Sequence, residues 1–226
     1  MGRVPRYLHW VEDAAYHVIN RGHNRETVFR DDVDRLKFLD LLDRYRCQFS
    51  FRLYHYCLMS NHFHLLLQLD DPRILSSMMA GLQRAYVHYF HRRHQFVGHL
   101  WQGRFKSPAI QRDSYWLSCG RYIERNPLDA GIVDVPWEYP WSSAAAYALG
   151  RTDPWLTEDP EYLSLGPNAA QRQDRWRQFL MASDEREQPI RQQRDWAIGD
   201  DTFRRRMRSV RSRTEVRRGG RPLRGK

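Results

Sequence analysis

The chain has 226 residues, of which 41% are hydrophobic and 28% charged, and its formal net charge is +10. This composition suits one folded domain of ordinary size with an appended segment. Its three cysteines are an odd number without CxxC spacing, which disfavours a disulfide framework or a zinc knuckle. No run approaches the ~18 apolar residues of a membrane span, and no apolar signal core is present near the start, so we expect a soluble, cytoplasmic protein without a membrane partner.

The first half of the chain predicts alternating strands and helices. In chain order, the predicted elements are a strand at 15–21, a helix at 31–48, two strands within 51–69, a helix at 72–94 and a strand within 105–112. The helices are predicted from apolar residues at helical spacing, and the two middle strands are separated by a break at 58–61. The order β-α-β-β-α-β is that of the ferredoxin-like fold. We therefore expect an α+β body with an antiparallel sheet in which the first and third strands are central and adjacent.

The third strand carries His62 and His64 on either side of Phe63. Because side chains alternate between the faces of a strand, both imidazoles point to one face while Phe63 packs into the core. Two imidazoles on one face make half of a metal site. On spacing alone, a solvated pair on an exposed face is the simpler interpretation. We expect this strand to face helices on one side and to expose its histidines on the other.

A predicted helix downstream supplies two groups that suit the histidine pair. Asp113 is a favourable N-cap and Pro127 disfavours helix at Asn126, so a helix of about three turns is predicted between them. Tyr122 and Asn126 are four residues apart and share a face. The amide of Asn126 can complete a three-ligand site for a divalent cation, and the Tyr122 hydroxyl lies where a metal-polarised phosphate would bind. Taken singly, a core tyrosine and a helix C-cap are the simpler interpretations.

These motifs carry a family resemblance. Residues 61–64 are similar to the His-hydrophobe-His motif of HUH single-strand DNA endonucleases, and residues 121–127 resemble the nucleophile helix of the single-tyrosine transposases. More narrowly, they resemble the REP-associated branch of that family. Three further stretches are similar to that branch, at 16–22, 100–107 and 139–143. The matches follow the family order and cover roughly residues 10–147.

The resemblance implies a metal-dependent endonuclease and strand transferase that acts on single-stranded DNA with hairpin or palindromic elements. Tyr122 would attack a backbone phosphorus, form a 5′-phosphotyrosine and free a 3′-hydroxyl, and a 3′-hydroxyl from another end would reverse the step. The metal ion, Mg²⁺ or Mn²⁺, would be held by His62, His64 and Asn126. The resemblance leaves both a homodimer and a monomer open, and it implies a nucleoid-associated protein.

Two positions depart from the family pattern. Ser60 stands where proline is usual, which affects only the turn. Asp129 stands where a basic residue is usual, and because an acid repels phosphate, a DNA-gripping role for this position is in doubt. The phosphate-facing candidates outside the metal site are Arg21, Arg104, Lys106 and Arg121.

The net charge is concentrated at the end of the chain. Residues 201–226 hold ten Arg and one Lys against two acids, a local charge of +9, whereas the preceding 200 residues sum to +1. A basic tail on a balanced body is typical of nucleic-acid binding. Its candidate DNA contacts are Arg217, Arg218 and Arg221. In the unbound protein we expect this tail to be disordered.

The sequence predicts a division into three parts. Residues 1–149 form the HUH single-tyrosine domain, residues 150–207 a linker and helical extension with sparse apolar anchors, and residues 208–226 the basic DNA-binding tail. The body and the extension would be joined by the proline-, glycine- and acid-containing stretch that begins at Gly150.

Two other functions fit parts of this pattern. A ferredoxin-like body with a basic tail also suits a non-catalytic RNA- or DNA-binding module, but the joint presence of two histidines, a tyrosine and an asparagine disfavours that hypothesis. A hydrolytic metal nuclease with a water nucleophile would make Tyr122 dispensable and normally uses carboxylate ligands. Asp70 and Asp71 lie just past the histidine strand, and Glu124 points away from Tyr122 on the helix, so no carboxylate is well placed.

Overall fold

The computed structural model describes residues 14–112, 114–192 and 195–209. The strands are β1 (Ala15–Arg21), β2 (Phe51–Met59), β3 (His62–Leu69), β4 (Ala109–Ile110) and β5 (Ala197–Ile198). The helices are α1 (Asp32–Phe49), α2 (Leu75–His94), α3 (Ser114–Asp129), α4 (Ala144–Leu149), α5 (Pro160–Leu163), α6 (Ala169–Met181), α7 (Glu187–Gln192) and α8 (201–209).

The strands form one sheet in the order β2-β3-β1-β4-β5. The first four pair antiparallel, and β5 is added parallel to β4. The predicted α+β fold is confirmed, and β1 and β3 are adjacent at its centre. The fourth strand is shorter than predicted, because only Ala109 and Ile110 pair regularly and the chain before them touches β1 through an isolated bridge at Lys106.

One face of the sheet packs on α1 and α2. Phe63, Leu65 and Leu67 alternate along β3 and are fully buried against Phe38 of α1 and Tyr86 of α2. Since side chains one residue apart lie on opposite faces, this packing directs His62 and His64 to the other face. Burial of these large apolar side chains is the main term that fixes the register of β3.

The other face was expected to be open, and the structure corrects this expectation. Helix α3 lies across it, so that Cys57 and Leu66 of the sheet and Trp116 and Ile123 of α3 share a second buried cluster. The apolar side chains on this face of the sheet need a cover, and α3 supplies one. The histidine face is therefore enclosed between the sheet and α3.

A buried polar network fastens α3 to β2. The Nδ1 atom of His55 lies 2.8 Å from Oε1 of Glu124, and its Nε2 lies 2.9 Å from Oδ2 of Asp159. All three side chains are fully buried. Further hydrogen bonds to the two carboxylates come from Ser143, Trp116 and Trp176. Glu124 thus points away from Tyr122, as predicted, and anchors the opposite side of α3.

This network makes folding stability depend on pH. Burial lowers the pKa of His55, but the charges and hydrogen bonds of Glu124 and Asp159 outweigh it and raise the pKa from 6.5 to about 9. A group whose pKa is higher in the folded than in the unfolded state stabilises the folded protein. This contribution is complete at pH values below the unfolded-state pKa and is lost as the pH rises through the folded-state pKa.

We expect the free energy of unfolding to fall by up to about 3 kcal/mol between pH 6.5 and pH 9. Urea denaturation across this range measures it, with His55→Leu as the control that lacks the titrating group. An equally steep fall in that variant would assign the pH dependence to another group.

The segment predicted as a linker makes buried contacts with the body. The Thr157 N–H donates to the Leu53 carbonyl at 2.8 Å, and Trp176 of α6 is fully buried. Arg46 of α1 donates to the Trp155 carbonyl at 2.8 Å. The boundary after residue 149 stays a prediction, but residues 153–180 contribute to the enclosure of α3. The predicted tail contacts Arg217, Arg218 and Arg221 lie outside the described residues.

No helix in the described parts of the chain combines the length and apolar character needed to cross a membrane.

Candidate active site

The two motif histidines lie together under α3. Their ring centroids are 5.0 Å apart with the planes at 82°. His64 is only 1% exposed, whereas His62, at the start of β3, is partly exposed. Asn61 lies beside His62, with Oδ1 2.6 Å from Nδ1, so it orients that imidazole. The site is therefore open on the side of His62 and closed on the side of His64.

Helix α3 brings Tyr122 and Asn126 to the same place. The Tyr122 ring stands perpendicular to the His64 ring, with centroids 5.5 Å apart, and is 8% exposed. The side chain of Asn126 lies close enough to His62 and His64 to raise the pKa of each, against the lowering effect of burial. The four predicted residues thus form one cluster within a single chain.

The sequence predicted that helix α3 ends before Pro127. In the structure the helix continues through Pro127 to Asp129. Pro127 has no N–H for the Ile123 carbonyl, four residues earlier. The Asn126 side chain compensates, because its Nδ2 donates to the carbonyls of Ile123 at 3.3 Å and Tyr122 at 2.7 Å. With the amide nitrogen used in this way, Oδ1 is the atom left for the histidines. The predicted N-cap, Asp113, lies outside the described residues.

The electrostatics of the cluster favour neutral imidazoles. Burial lowers the pKa of His64 well below its ordinary value, and the nearby His62 and His17 lower it further. Burial also lowers the pKa of His62, and the charge of Arg21 contributes in the same direction. Neutral imidazoles keep a lone pair for a metal ion at physiological pH.

The residues present fit a small oxygen- and nitrogen-ligand site for a divalent cation. Two neutral imidazoles and an amide oxygen converge, and the His62 side admits solvent that would fill the remaining positions. Among the described residues, no three His, Cys, Asp or Glu side chains form a metal-binding group by themselves. The amide oxygen of Asn126 is therefore essential to any such site.

The sequence did not single out His17 as a functional residue. It lies on β1, fully buried, with its Nε2 2.8 Å from Nδ1 of His64. The two rings are nearly coplanar, with an interplanar angle of 14° and centroids 5.1 Å apart, and the Tyr122 ring stands edge-on to His17 at 5.8 Å. The sequence feature that could have identified His17 is its position as a polar residue among the apolar residues of a predicted strand.

A second overlooked group, Arg191, comes from the C-terminal extension. Its guanidinium lies 5.5 Å from the centroid of the Tyr122 ring, within the range of a cation–π contact. Asp129 and Glu187 both pair with it. The acid that departs from the family pattern, Asp129, therefore holds a cation beside the tyrosine.

Three of the predicted phosphate-facing residues lie near the open side of the site. Arg21 pairs with His62 in the register of the sheet, and its side chain hydrogen-bonds to Gln102. Arg104 and Lys106 are exposed on the same connection between α2 and β4. We call these three residues, Arg21, Arg104 and Lys106, the basic rim.

Arg121 was predicted to face phosphate, and the structure places it elsewhere. Its side chain is 2% exposed and forms an ion pair with Glu187 of α7. It also donates to the Phe179 carbonyl of α6 at 2.5 Å. Arg121 is therefore a buried link between α3 and the extension, and it is not available to a DNA strand.

Comparison with known proteins identifies the family of the chain. Residues 10–126 match the family described as IS200-like transposases. A solved structure of a REP-associated tyrosine transposase bound to a REP hairpin is similar in fold, with a TM-score of 0.54 and 20% identity over 70% of this chain and 93% of that one. A protein from Deinococcus radiodurans R1, solved as a transposase candidate, matches 50% of this chain and 88% of that one, with 19% identity and a TM-score of 0.38. No curated protein matches the chain.

Proposed function

The chain belongs to the IS200-like transposase family, and on that premise we propose that it cleaves and rejoins single-stranded DNA with Tyr122 as its nucleophile. The observation that carries this proposal is the cluster of Tyr122 with His62, His64 and Asn126 within one chain. A non-catalytic binding module has no need of this cluster. A water-dependent nuclease has no need of the tyrosine at its centre.

In the proposed reaction the Tyr122 hydroxyl oxygen attacks a backbone phosphorus. The new bond is a 5′-phosphotyrosine, and the bond from phosphorus to the 3′ oxygen breaks, so that the phenolic proton is lost and the leaving 3′ oxygen gains one. Because the ester is conserved, attack by a 3′-hydroxyl from another end restores the tyrosine and joins two strands. Arg191 beside the ring adds positive charge where the phosphate would lie.

His62, His64 and Asn126 would hold a divalent cation, Mg²⁺ or Mn²⁺. When bound there, the cation supplies polarisation of the scissile phosphate. The chain itself contributes the fixed amide of Asn126 and two neutral imidazoles. The residues of the proposed site come together within one chain, and the proposed reaction is compatible with both a monomer and a homodimer.

The proposed substrate is single-stranded DNA with a hairpin or palindromic element, in keeping with a role on nucleoid DNA. Support comes from the basic rim, which borders the open side of the site, and from the +9 charge of residues 201–226. Both are suited to a phosphate backbone that approaches His62 from solvent.

Metal removal tests the proposal. Wild-type protein with a labelled single-stranded hairpin and Mn²⁺ is expected to give a covalent protein–DNA band on a denaturing gel. EDTA should abolish this band, and Mg²⁺ or Mn²⁺ in excess should restore it. Cleavage without a covalent band would indicate a water nucleophile, and tight binding without cleavage would indicate a non-catalytic module.

Arg104→Ala tests the basic rim. Each phosphate contact contributes to the salt dependence of binding, so loss of one contact is expected to reduce the slope of log K against log salt by about 0.7 for a single strand. Fluorescence anisotropy at several salt concentrations measures this slope. The matched control is Arg73→Ala, an exposed arginine beyond the far end of β3. Equal effects of the two changes would show that the arginines act only through net charge.

A further inference from the structure

His17 is buried in a position that concerns the proposed metal ligand His64. Its Nε2 faces Nδ1 of His64 at 2.8 Å, and the two nearly coplanar rings meet edge to edge through this contact, which is too short to admit a water molecule. Both rings are buried, 0% and 1% exposed, and because burial disfavours the charged imidazolium, both are neutral. One proton must therefore lie between the two facing nitrogens, and it belongs to one ring or the other.

The location of that proton decides whether His64 can bind a metal ion. With Nδ1 directed at His17, Nε2 is the nitrogen of His64 that meets Asn126. A neutral imidazole that coordinates through Nε2 carries its proton on Nδ1. In that form His64 donates to His17, whereas in the alternative form Nε2 carries the proton and is blocked.

We propose that His17 is a positioning residue of the metal site, which accepts the Nδ1 proton of His64 and so holds that imidazole as an Nε2 ligand. The inference rests on the proposed role of His64 as a metal ligand. His17 itself is not a ligand in this arrangement, because its Nε2 is used by His64.

The other nitrogen of His17 shows what this arrangement costs. If Nε2 accepts, the neutral ring must carry its proton on Nδ1, and this buried atom has no hydrogen-bond partner among the described residues. A buried donor without a partner costs stability. Phenylalanine would fill the same space between His64 and Tyr122 without that cost. In the proposed arrangement, the unpaired Nδ1–H of His17 is thus a cost to folding that accompanies the acceptor role of Nε2.

Two variants of His17 separate the acceptor from the ring. His17→Phe keeps a ring but removes the acceptor, and we expect its affinity for Mn²⁺ to fall by about 10- to 100-fold. His17→Gln places an amide oxygen where Nε2 stood, and we expect its affinity to stay within about threefold of wild type. Electron paramagnetic resonance of free Mn²⁺ measures both affinities in the full chain. Thermal unfolding of the metal-free variants verifies that both are folded.

A second measurement reads the proton directly. Long-range ¹H–¹⁵N spectra of histidine-labelled wild type with Mg²⁺ should show the His64 proton on Nδ1. A proton on Nε2, or equal Mn²⁺ affinity in wild type and His17→Phe, would overturn the inference. Equal losses in the two His17 variants would also overturn it, since they would show that only ring packing matters.

If His64→Ala loses Mn²⁺ while His17→Phe does not, the metal site stands and the role of His17 fails. Wild type that binds no Mn²⁺ overturns the metal site itself.

Discussion

Tyr122→Phe is expected to reduce the formation of covalent protein–DNA complex by at least about 10³-fold, because it removes the attacking oxygen. The change leaves the ring, and with it the contacts to His17, His64 and Arg191. The affinity for uncleaved hairpin DNA should therefore stay within about twofold of wild type. A denaturing gel measures the covalent product, and anisotropy in EDTA measures binding.

The matched control is Tyr115→Phe, which removes a hydroxyl from the same helix at a partly exposed position. This variant should form the covalent complex at the wild-type rate. If both variants cleave DNA as well as wild type, neither tyrosine of α3 is the nucleophile. If Tyr122→Phe loses binding as well as cleavage, the hydroxyl has a role in substrate contact that the proposed mechanism does not include.

His55→Leu is expected to lower the free energy of unfolding by about 3 to 5 kcal/mol at pH 7. The variant leaves Glu124 and Asp159 buried without their shared cation, and unpaired buried charges are costly. Since folded domains are stable by only about 5 to 15 kcal/mol, this is a large part of the total. The loss should also loosen α3, because Glu124 is the residue that fastens it to β2.

Urea denaturation at pH 7 measures this effect through a lower midpoint with an unchanged slope. His99→Leu is the matched control, because His99 is exposed and its replacement should change stability by no more than about 0.5 kcal/mol. A His55→Leu variant as stable as wild type would contradict the role of His55 as a stabilising cation between the two carboxylates.

Local periodicity explains what the sequence predicted correctly. The alternation of side chains along β3 placed His62 and His64 on one face of that strand. Helical spacing placed Tyr122 and Asn126 on one face of α3. The β-α-β-β-α-β order then put β1 and β3 side by side. Each of these inferences depends on residues that are close in sequence, or on the order of elements.

The features that the sequence did not predict depend on contacts between distant residues. The docking of α3 on β2 is fixed by Glu124 and His55, which are 69 residues apart. Arg121 was expected at the surface because it is charged, and its partner Glu187 lies 66 residues away. His17 becomes a neighbour of His64 only through the register in which Ile19 pairs with His64. No local pattern encodes such pairings.

The chemical identity of the covalent linkage tests the central claim most directly. Trypsin cuts after Arg121 and Arg125, so it releases residues 122–125, in which Tyr122 is the one tyrosine. After reaction with hairpin DNA, nuclease digestion and trypsin, mass spectrometry should find this peptide carrying a 5′-linked nucleotide on Tyr122. A nucleotide on any other peptide, or cleaved DNA with no modified peptide, would contradict the account.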